Sequence, residues 1–316
     1  MFEESALRTY HGHTDCVRSI AALDSETFIS GSSDMTIKLW KVDQKLAIRT
    51  YQGHTSYVNS LAVLDSQNFV SGSEDMTMKQ WKVDQDSELR TYQAHTAHVL
   101  SVAALDSQTF VSGSSDKNSI AALDSQTFIS GSDDNTIKLW KVDRGSPIRS
   151  YHGHTYLVNS VATFDSQTFV SGSSDMTIKL WKLDQASALR TYQGHTSCVR
   201  SVAVLDSETF ISGSSDMTIK LWKVDQELAI RTYQGHTSSV RSIAVLDSQI
   251  FVSGSEDNTI KLWGNFEASL SNDVRLFLNR RLSTLPSHIV QSFLGTELGY
   301  KLNKKIVGRG NNDVVR

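Results

Sequence analysis

The sequence has little of what a disulfide-built, secreted or membrane-spanning protein needs. Its 316 residues include only two cysteines, Cys16 and Cys198, and only two prolines. Two cysteines are too few for a disulfide framework. No run of 18 apolar residues occurs, and no apolar segment follows Met1, so neither a membrane span nor a secretory leader is expected. We therefore expect an intracellular protein located in the cytoplasm, with the nucleus left open.

An excess of positive charge is also missing. The chain carries 31 Lys and Arg against 34 Asp and Glu, a net charge of −3, which argues against a general nucleic-acid binder. The charge is uneven, because residues 264–316 hold eight basic and four acidic residues. An alternative function is therefore nucleic-acid or anionic-membrane binding through a basic C-terminal tail, which a steep salt dependence would reveal.

Sequence motifs for catalysis and cofactor binding are absent too. There is no glycine-rich phosphate loop, Cys-x-x-Cys pair or paired-carboxylate arrangement. His11 and His13 could suggest a metal site, but the equivalent of His11 is glutamine in most other units and no acidic cluster accompanies it. We therefore expect no metal, no cofactor and no small-molecule substrate. An enzyme that used a central channel would need non-repeated titratable residues, which the sequence does not offer.

What the sequence does contain is a repeat. Tryptophans 181, 222 and 263 are 41 residues apart, as are tryptophans 40 and 81, and the histidines keep the same step. A period of this length indicates a repeat architecture. Each unit holds four short strand signals separated by turn residues, with no helical period between them, which predicts an all-β fold of antiparallel sheets.

The residues of each unit resemble those of a known family. A Gly-His pair, a Ser-Gly-Ser-x-Asp turn and an Ile-Lys-Leu-Trp strand, as at residues 12–13, 30–34 and 37–40, resemble the WD-repeat (WD-40) β-propeller family. The match covers residues 7–263, although the family's Trp-Asp dipeptide is Trp-Lys in five units. The resemblance implies a closed ring of four-stranded blades spanning residues 1–265, in which strand 7–11 pairs with the last blade.

One unit is shortened. Trp81 and Trp140 are 59 residues apart where two periods would give 82, so 23 residues are missing. The gap follows Asp116, and Lys117 resumes in the middle of the next unit. We predict seven blade positions, the third reduced to its two inner strands; the alternative is six full blades with one extruded hairpin. We expect a monomer with an association risk at the exposed third-blade edge. A truncated or misassembled protein without function is a further alternative.

The C-terminal extension, residues 266–316, differs from the repeats. Apolar residues from Leu270 to Leu285 follow a helical stripe, and a second apolar face ends near Gly295. We predict that the extension is helical to about residue 295, and then basic and flexible. Its helices either pack on the propeller or dock a partner.

A set of four polar and aromatic residues recurs in the complete units. In the family these positions form a hydrogen-bond network, so the resemblance implies that they are structural and not catalytic. The five sets, one from each complete unit, are His13, Ser30, Asp34 and Trp40; His54, Ser71, Asp75 and Trp81; His154, Ser171, Asp175 and Trp181; His195, Ser212, Asp216 and Trp222; and His236, Ser253, Asp257 and Trp263. The third unit lacks the tryptophan and the fourth lacks the histidine, so we predict incomplete networks there.

The repeats differ at positions that, in the family, face the top of the ring, where partners dock. These positions include Arg18, Arg200, Arg241, Tyr57, Asn59, His98, Asn159, Glu74 and Glu256. The three arginines belong to neighbouring blades of a closed ring and would favour carboxylate or phosphate groups. The sequence therefore predicts a non-catalytic scaffold that presents this face to a protein or peptide partner with acidic or phosphorylated groups.

Overall fold

The computed structural model of the chain describes residues 5–114 and 117–264. Within these ranges all the regular elements are β-strands. The predicted helices and basic tail of residues 266–316 lie outside the described residues, as does Asp116. The strands are β1 (Arg8–Tyr10), β2 (Val17–Ala22), β3 (Thr27–Ser32), β4 (Ile37–Lys41), β5 (Arg49–Tyr51), β6 (Val58–Val63), β7 (Asn68–Ser73), β8 (Met78–Lys82), β9 (Glu88–Tyr92), β10 (Val99–Ala104), β11 (Phe110–Ser114), β12 (Lys117–Ala122), β13 (Thr127–Ser132), β14 (Ile137–Lys141), β15 (Arg149–Tyr151), β16 (Val158–Thr163), β17 (Thr168–Ser173), β18 (Ile178–Lys182), β19 (Arg190–Tyr192), β20 (Val199–Val204), β21 (Thr209–Ser214), β22 (Ile219–Lys223), β23 (Arg231–Tyr233), β24 (Val240–Asp247), β25 (Ile250–Ser255) and β26 (Ile260–Gly264).

The strands form six four-stranded antiparallel sheets and one two-stranded sheet. Blades 1, 2, 4, 5 and 6 are the sheets β2–β5, β6–β9, β12–β15, β16–β19 and β20–β23, blade 3 is β10–β11, and blade 7 is β24–β26 with β1. The innermost strand of each blade contacts those of the two neighbouring blades, and β24 returns to β2. The β10–β11 hairpin therefore occupies a ring position and is not extruded.

Seven hydrogen bonds join the innermost strands into a continuous ring. In each one a backbone N–H in one blade donates to a serine Oγ in the preceding blade, over 2.9–3.2 Å. The third blade takes part on both sides, because Val102 N donates to Ser60 Oγ and Ile120 N donates to Ser101 Oγ. The missing strands therefore do not interrupt the inner ring.

The ring closes through the N-terminal strand. β1 pairs with β26, with Arg8 opposite Leu262 and Tyr10 opposite Ile260. Lys261 Nζ donates to Thr9 Oγ1 over 3.1 Å in the same pair of strands. Because this pairing supplies the outer strand of blade 7, that blade has the same four-stranded form as its neighbours.

The core lies between neighbouring blades. Leu39 and Tyr51 of blade 1 pack against Phe69 and Trp81 of blade 2, and all four side chains are buried. The tyrosine hydroxyl also donates to the backbone oxygen of Val83 in blade 2, over 2.7 Å. Each blade therefore depends on its neighbour for the burial of its aromatic residues, which is why a single unit cannot fold alone.

Candidate functional site

The recurring polar residues form a hydrogen-bonded network in five blades. In blade 1, His13 Nδ1 lies 2.7 Å from Asp34 Oδ2, and His13 Nε2 lies 2.7 Å from Ser30 Oγ. Trp40 Nε1 donates to the same serine oxygen over 2.7 Å. The corresponding bonds join the equivalent residues of blades 2, 5, 6 and 7. The network ties the loop before each innermost strand to the second and third strands of the blade.

This geometry suits a structural role better than nucleophilic catalysis. Ser30 is 0% exposed, and its hydroxyl is hydrogen-bonded to both His13 Nε2 and Trp40 Nε1. A neutral His13 with its proton on Nδ1 would satisfy Asp34, accept the serine proton at Nε2 and leave the oxygen to accept from the indole. Every polar atom of the set then has a partner, and the buried serine has no route to a substrate.

Electrostatics also hold the aspartates in the charged form. Burial raises the pKa of Asp34, but hydrogen bonds from His13 and Thr36 outweigh it and leave that pKa well below its usual range. The same causes act on Asp216, where the partners are His195 and Thr218. These carboxylates therefore stabilise the fold while they are ionised.

The networks of blades 3 and 4 are incomplete. In blade 3, His95 Nε2 lies 2.8 Å from Ser112 Oγ, but no tryptophan strand follows. In blade 4, Trp140 Nε1 donates to Ser130 Oγ over 2.9 Å, and no histidine precedes the blade. Asp134 forms an ion pair with Lys138 instead, and 49% of its side chain is exposed.

The variable positions follow from a distortion of the innermost strands. In each of these strands the register shifts at the second residue, which forms a β-bulge. Arg18, Asn59, Asn159, Arg200 and Arg241 are bulge residues, and a bulge redirects the side chain that it carries. We use "top face" for the end of the ring that holds the bulges, the histidine loops and the aspartate turns.

Four of the predicted top-face residues meet between blades 1 and 2. The Arg18 guanidinium carbon lies 4.4 Å from the centroid of the Tyr57 ring, within cation–π range. Its Nη1 donates to Asn59 Oδ1 over 3.2 Å and pairs with Glu74 Oε1 at 3.5 Å. Its Nε donates to Ser33 Oγ over 2.6 Å. Arg18 is therefore held by neighbours of both blades.

Arg241 forms a second local pair. Its Nε donates to Glu256 Oε1 over 2.6 Å, and Nη2 contacts the same oxygen. Burial raises the pKa of Glu256, but the charge of Arg241 outweighs it and the pKa stays below its usual value. Burial raises the pKa of the Cys16 thiol, and nearby Arg241 and Arg18 reduce that rise.

The remaining predicted residues make other contacts. Arg200 Nε donates to Ser215 Oγ over 2.9 Å, and within residues 5–114 and 117–264 Arg200 forms no ion pair. Asn159 Nδ2 donates to the backbone oxygen of Val199 over 2.9 Å. His98 is exposed beside the third blade. Among the described residues, therefore, the three arginines are not equivalent: two are paired with carboxylates, and Arg200 is not.

Two other findings concern ligands and membranes. In the described part of the chain, no three side chains of the metal-binding types converge, and His13 belongs to the structural network. The same part of the chain contains no helical segment that could cross a bilayer.

The chain belongs to the WD40 repeat family. The family model described as "WD domain, G-beta repeat" matches residues 4–41, 46–82, 86–121, 117–141, 145–182, 186–223 and 228–264. The third and fourth matches share residues 117–121, and the structure gives these residues to blade 4, because β12 pairs with β13. The resemblance and the all-β propeller fold predicted from the sequence are confirmed.

Three solved structures show the same fold. The WD40 beta propeller domain of Doa1 is 24% identical, with a TM-score of 0.76, covering 84% of this chain and 98% of that one. U3-55K is 17% identical, with a TM-score of 0.75 and coverage of 83% and 99%. The RRP9 WD40 repeats are 17% identical, with a TM-score of 0.74 and coverage of 81% and 96%. A comparison with curated proteins gives no match.

Sequence reasoning missed two residues beside the gap in blade 3. Gln80 stands where the corresponding strands of the other four-stranded blades have leucine, and Ala94 stands where the complete units have glycine before the histidine. Both could have been found by comparing the repeats at core positions as well as at top-face positions.

Proposed function

We propose that this protein is a non-catalytic interaction scaffold whose top face binds a protein or peptide partner with acidic or phosphorylated groups. The observation that carries the proposal is the contrast between positions within each blade. The buried network is nearly identical in five blades, whereas the bulge residue is arginine in blades 1, 6 and 7, asparagine in blades 2, 4 and 5, and leucine in blade 3. A rigid ring with varied side chains at one end suits recognition, because ordering the surface costs little on binding.

The arginines give the expected chemistry of the partner. The Arg200 guanidinium has no carboxylate partner among the described residues, so it can bind a carboxylate or phosphate of a partner through two hydrogen bonds. Arg18 and Arg241 already face Glu74 and Glu256, so a partner must compete with those pairs. We therefore place the main anion contact at Arg200, with Arg18 and Tyr57 as a second, mixed polar and aromatic contact.

The experiment is affinity capture with the wild type and a variant that carries Arg18→Glu, Arg200→Glu and Arg241→Glu. A control variant carries Lys45→Glu, Arg144→Glu and Lys223→Glu, which change the net charge equally at the opposite end of the ring. Thermal melts establish that all three proteins are folded. We expect a partner that the wild type and the control retain and the arginine variant loses. Equal retention by all three folded proteins would contradict the proposal.

The single variant Arg200→Ala separates the contacts. If the Arg200 guanidinium carries the anion contact, this change alone should remove most of the binding to a phosphorylated partner. Binding that depends on Arg18 but not on Arg200 would instead place the site between blades 1 and 2.

A further inference from the structure

The gap beside β11 is the largest irregularity of the ring. The counterpart strand β3 pairs with β4, but no described strand pairs with the outer edge of β11. Side chains that are buried in complete blades are partly exposed around this edge: Tyr92 and Phe110 on one side, and Phe128 and Trp140 of blade 4 on the other. Their counterparts Tyr51, Phe69 and Trp81 are 0–1% exposed. We call this region the blade 3 groove.

The edge of β11 lacks the features that protect the other edges. The outer strands of blades 1, 4, 5, 6 and 7 are three residues long and carry an arginine. β11 has five residues, Phe-Val-Ser-Gly-Ser, without a charge or a proline. A longer, uncharged edge with free backbone groups can accept an added strand.

Blade 1 provides the register that an added strand would follow. In it, Phe28 is opposite Trp40, Ile29 is opposite Leu39 and Gly31 is opposite Ile37. By the same register, an added strand would place residues opposite Phe110, Val111 and Gly113.

The register also fixes which positions of an added strand must be apolar. Ile37 and Leu39 of blade 1 face Phe69 and Trp81 of blade 2. The same two positions in an added strand would cover Phe128 and Trp140, so both should be apolar.

The position opposite Phe110 holds tryptophan in complete blades, but its surroundings in blade 3 differ from those of the complete blades. A Cβ at Gly12 would lie 2.9 Å from Trp40 Cη2, and the glycines of the other complete units face their tryptophans in the same way. Blade 3 has Ala94 at this position. Its methyl group would crowd an indole.

The second change is Gln80, in place of the leucine that packs near the next blade's tryptophan. Tyr92 OH donates to Gln80 Oε1 over 3.0 Å, whereas Tyr51 OH donates to a backbone oxygen of the next blade. An indole opposite Phe110 would therefore face the polar amide of Gln80, whereas the indoles of complete blades face a leucine.

We propose that the blade 3 groove binds an extended segment of a partner protein as a third strand on β11. The segment has apolar side chains opposite Val111 and Gly113 and a small hydrogen-bonding side chain opposite Phe110. Gln80 and Ala94 select against tryptophan at that last position, and so against the repeat's own strand from a second copy. Both substitutions are compatible with a blade that has no tryptophan strand. They therefore also favour a genuine two-stranded blade over misassembly of the protein.

The test uses two fluorescent octapeptides and the full chain. The first peptide has the sequence of residues 36–43, TIKLWKVD, and the second carries Trp40→Ser. We expect the serine peptide to bind the wild type about tenfold tighter than the parent, a difference of about 1.4 kcal/mol. The variant with Gln80→Leu and Ala94→Gly should reverse this order. Hydrogen exchange at residues 110–114 should slow when the serine peptide binds.

A third peptide with both Trp40→Ser and Lys38→Pro is the control, since proline removes a backbone donor and disrupts strand pairing. It should bind at least about tenfold more weakly than the serine peptide. The proposal is overturned if neither peptide binds the folded wild type, if the proline peptide binds equally well, or if the tryptophan peptide is preferred. A wild-type dimer that the serine peptide dissociates would assign the edge to a second copy and would also overturn it.

Discussion

Blades 6 and 3 have nearly the same inner hairpin but different surroundings. In blade 6, Ser212 holds both His195 and Trp222, and all three side chains are buried. In blade 3, Ser112 and His95 are still paired, but both are partly exposed. The comparison shows that the inner ring and the outer network are separable: the hairpin keeps its place in the ring without the tryptophan strand.

The largest test of this comparison removes the tryptophan from a complete blade. Trp222→Ala should lower the free energy of unfolding by about 3–5 kcal/mol, because it leaves a cavity between blades 5 and 6 and removes one of the two hydrogen bonds of Ser212. Trp140→Ala should cost clearly less, since Trp140 is already partly exposed beside the blade 3 groove. Urea denaturation of both variants measures the difference. Equal costs would mean that the gap does not weaken its neighbour.

The next largest loss of stability is expected on replacing the network aspartate, and this loss depends on pH. The folded-state pKa of Asp216 is lowered, so its contribution is present above the unfolded pKa of about 3.9 and is lost as the pH falls below it. Asp216→Asn should cost about 1.5–3 kcal/mol at neutral pH and flatten the acid limb of stability between about pH 5 and pH 2. Asp134→Asn in the incomplete network of blade 4 is the control. It should lower the free energy of unfolding less than Asp216→Asn does, because 49% of the Asp134 side chain is exposed. Identical acid limbs for wild type and Asp216→Asn would contradict the assignment.

A smaller effect concerns the glycine before each histidine. Gly194 has a φ of +153° and faces Trp222, so Gly194→Ala should cost about 1–2 kcal/mol. The opposite change in blade 3, Ala94→Gly, should cost less than about 1 kcal/mol, because no tryptophan lies there. Thermal melts of the two variants are sufficient. A neutral Gly194→Ala would show that contact with the tryptophan does not impose the glycine.

The smallest effect lies in the aspartate turn of blade 6. Met217 has a φ of 68° and its side chain is 46% exposed, and the equivalent turn residue of blade 7 is Asn258, with a φ of 65°. Asparagine tolerates this left-handed conformation better than methionine. Met217→Asn should therefore stabilise the protein by about 0.5 kcal/mol. A loss of stability in calorimetry would contradict this.

The sequence predicted the period, the blades and the position of the gap, because tryptophan and glycine-histidine spacing report directly on strand order. It did not predict the partners of the bulge residues. Arg18 reaches Tyr57 and Glu74 of the next blade, and such contacts depend on how one blade is rotated against another. The ion pair of Asp134 with Lys138 was also missed, since it follows from the absence of a histidine and not from a motif.

The seven bonds of the inner ring also set an order for folding. Five of them join residues 42 positions apart, the bond between blades 3 and 4 spans 19, and the bond between blades 7 and 1 spans 222. Closing a 222-residue loop costs about 1.5 kcal/mol more than closing one of 42 residues. We therefore expect the junction of blades 3 and 4 to form early and the seam at Ser242 to close last. The shortening that opens a groove on the outside of the ring thus provides a local nucleus on the inside.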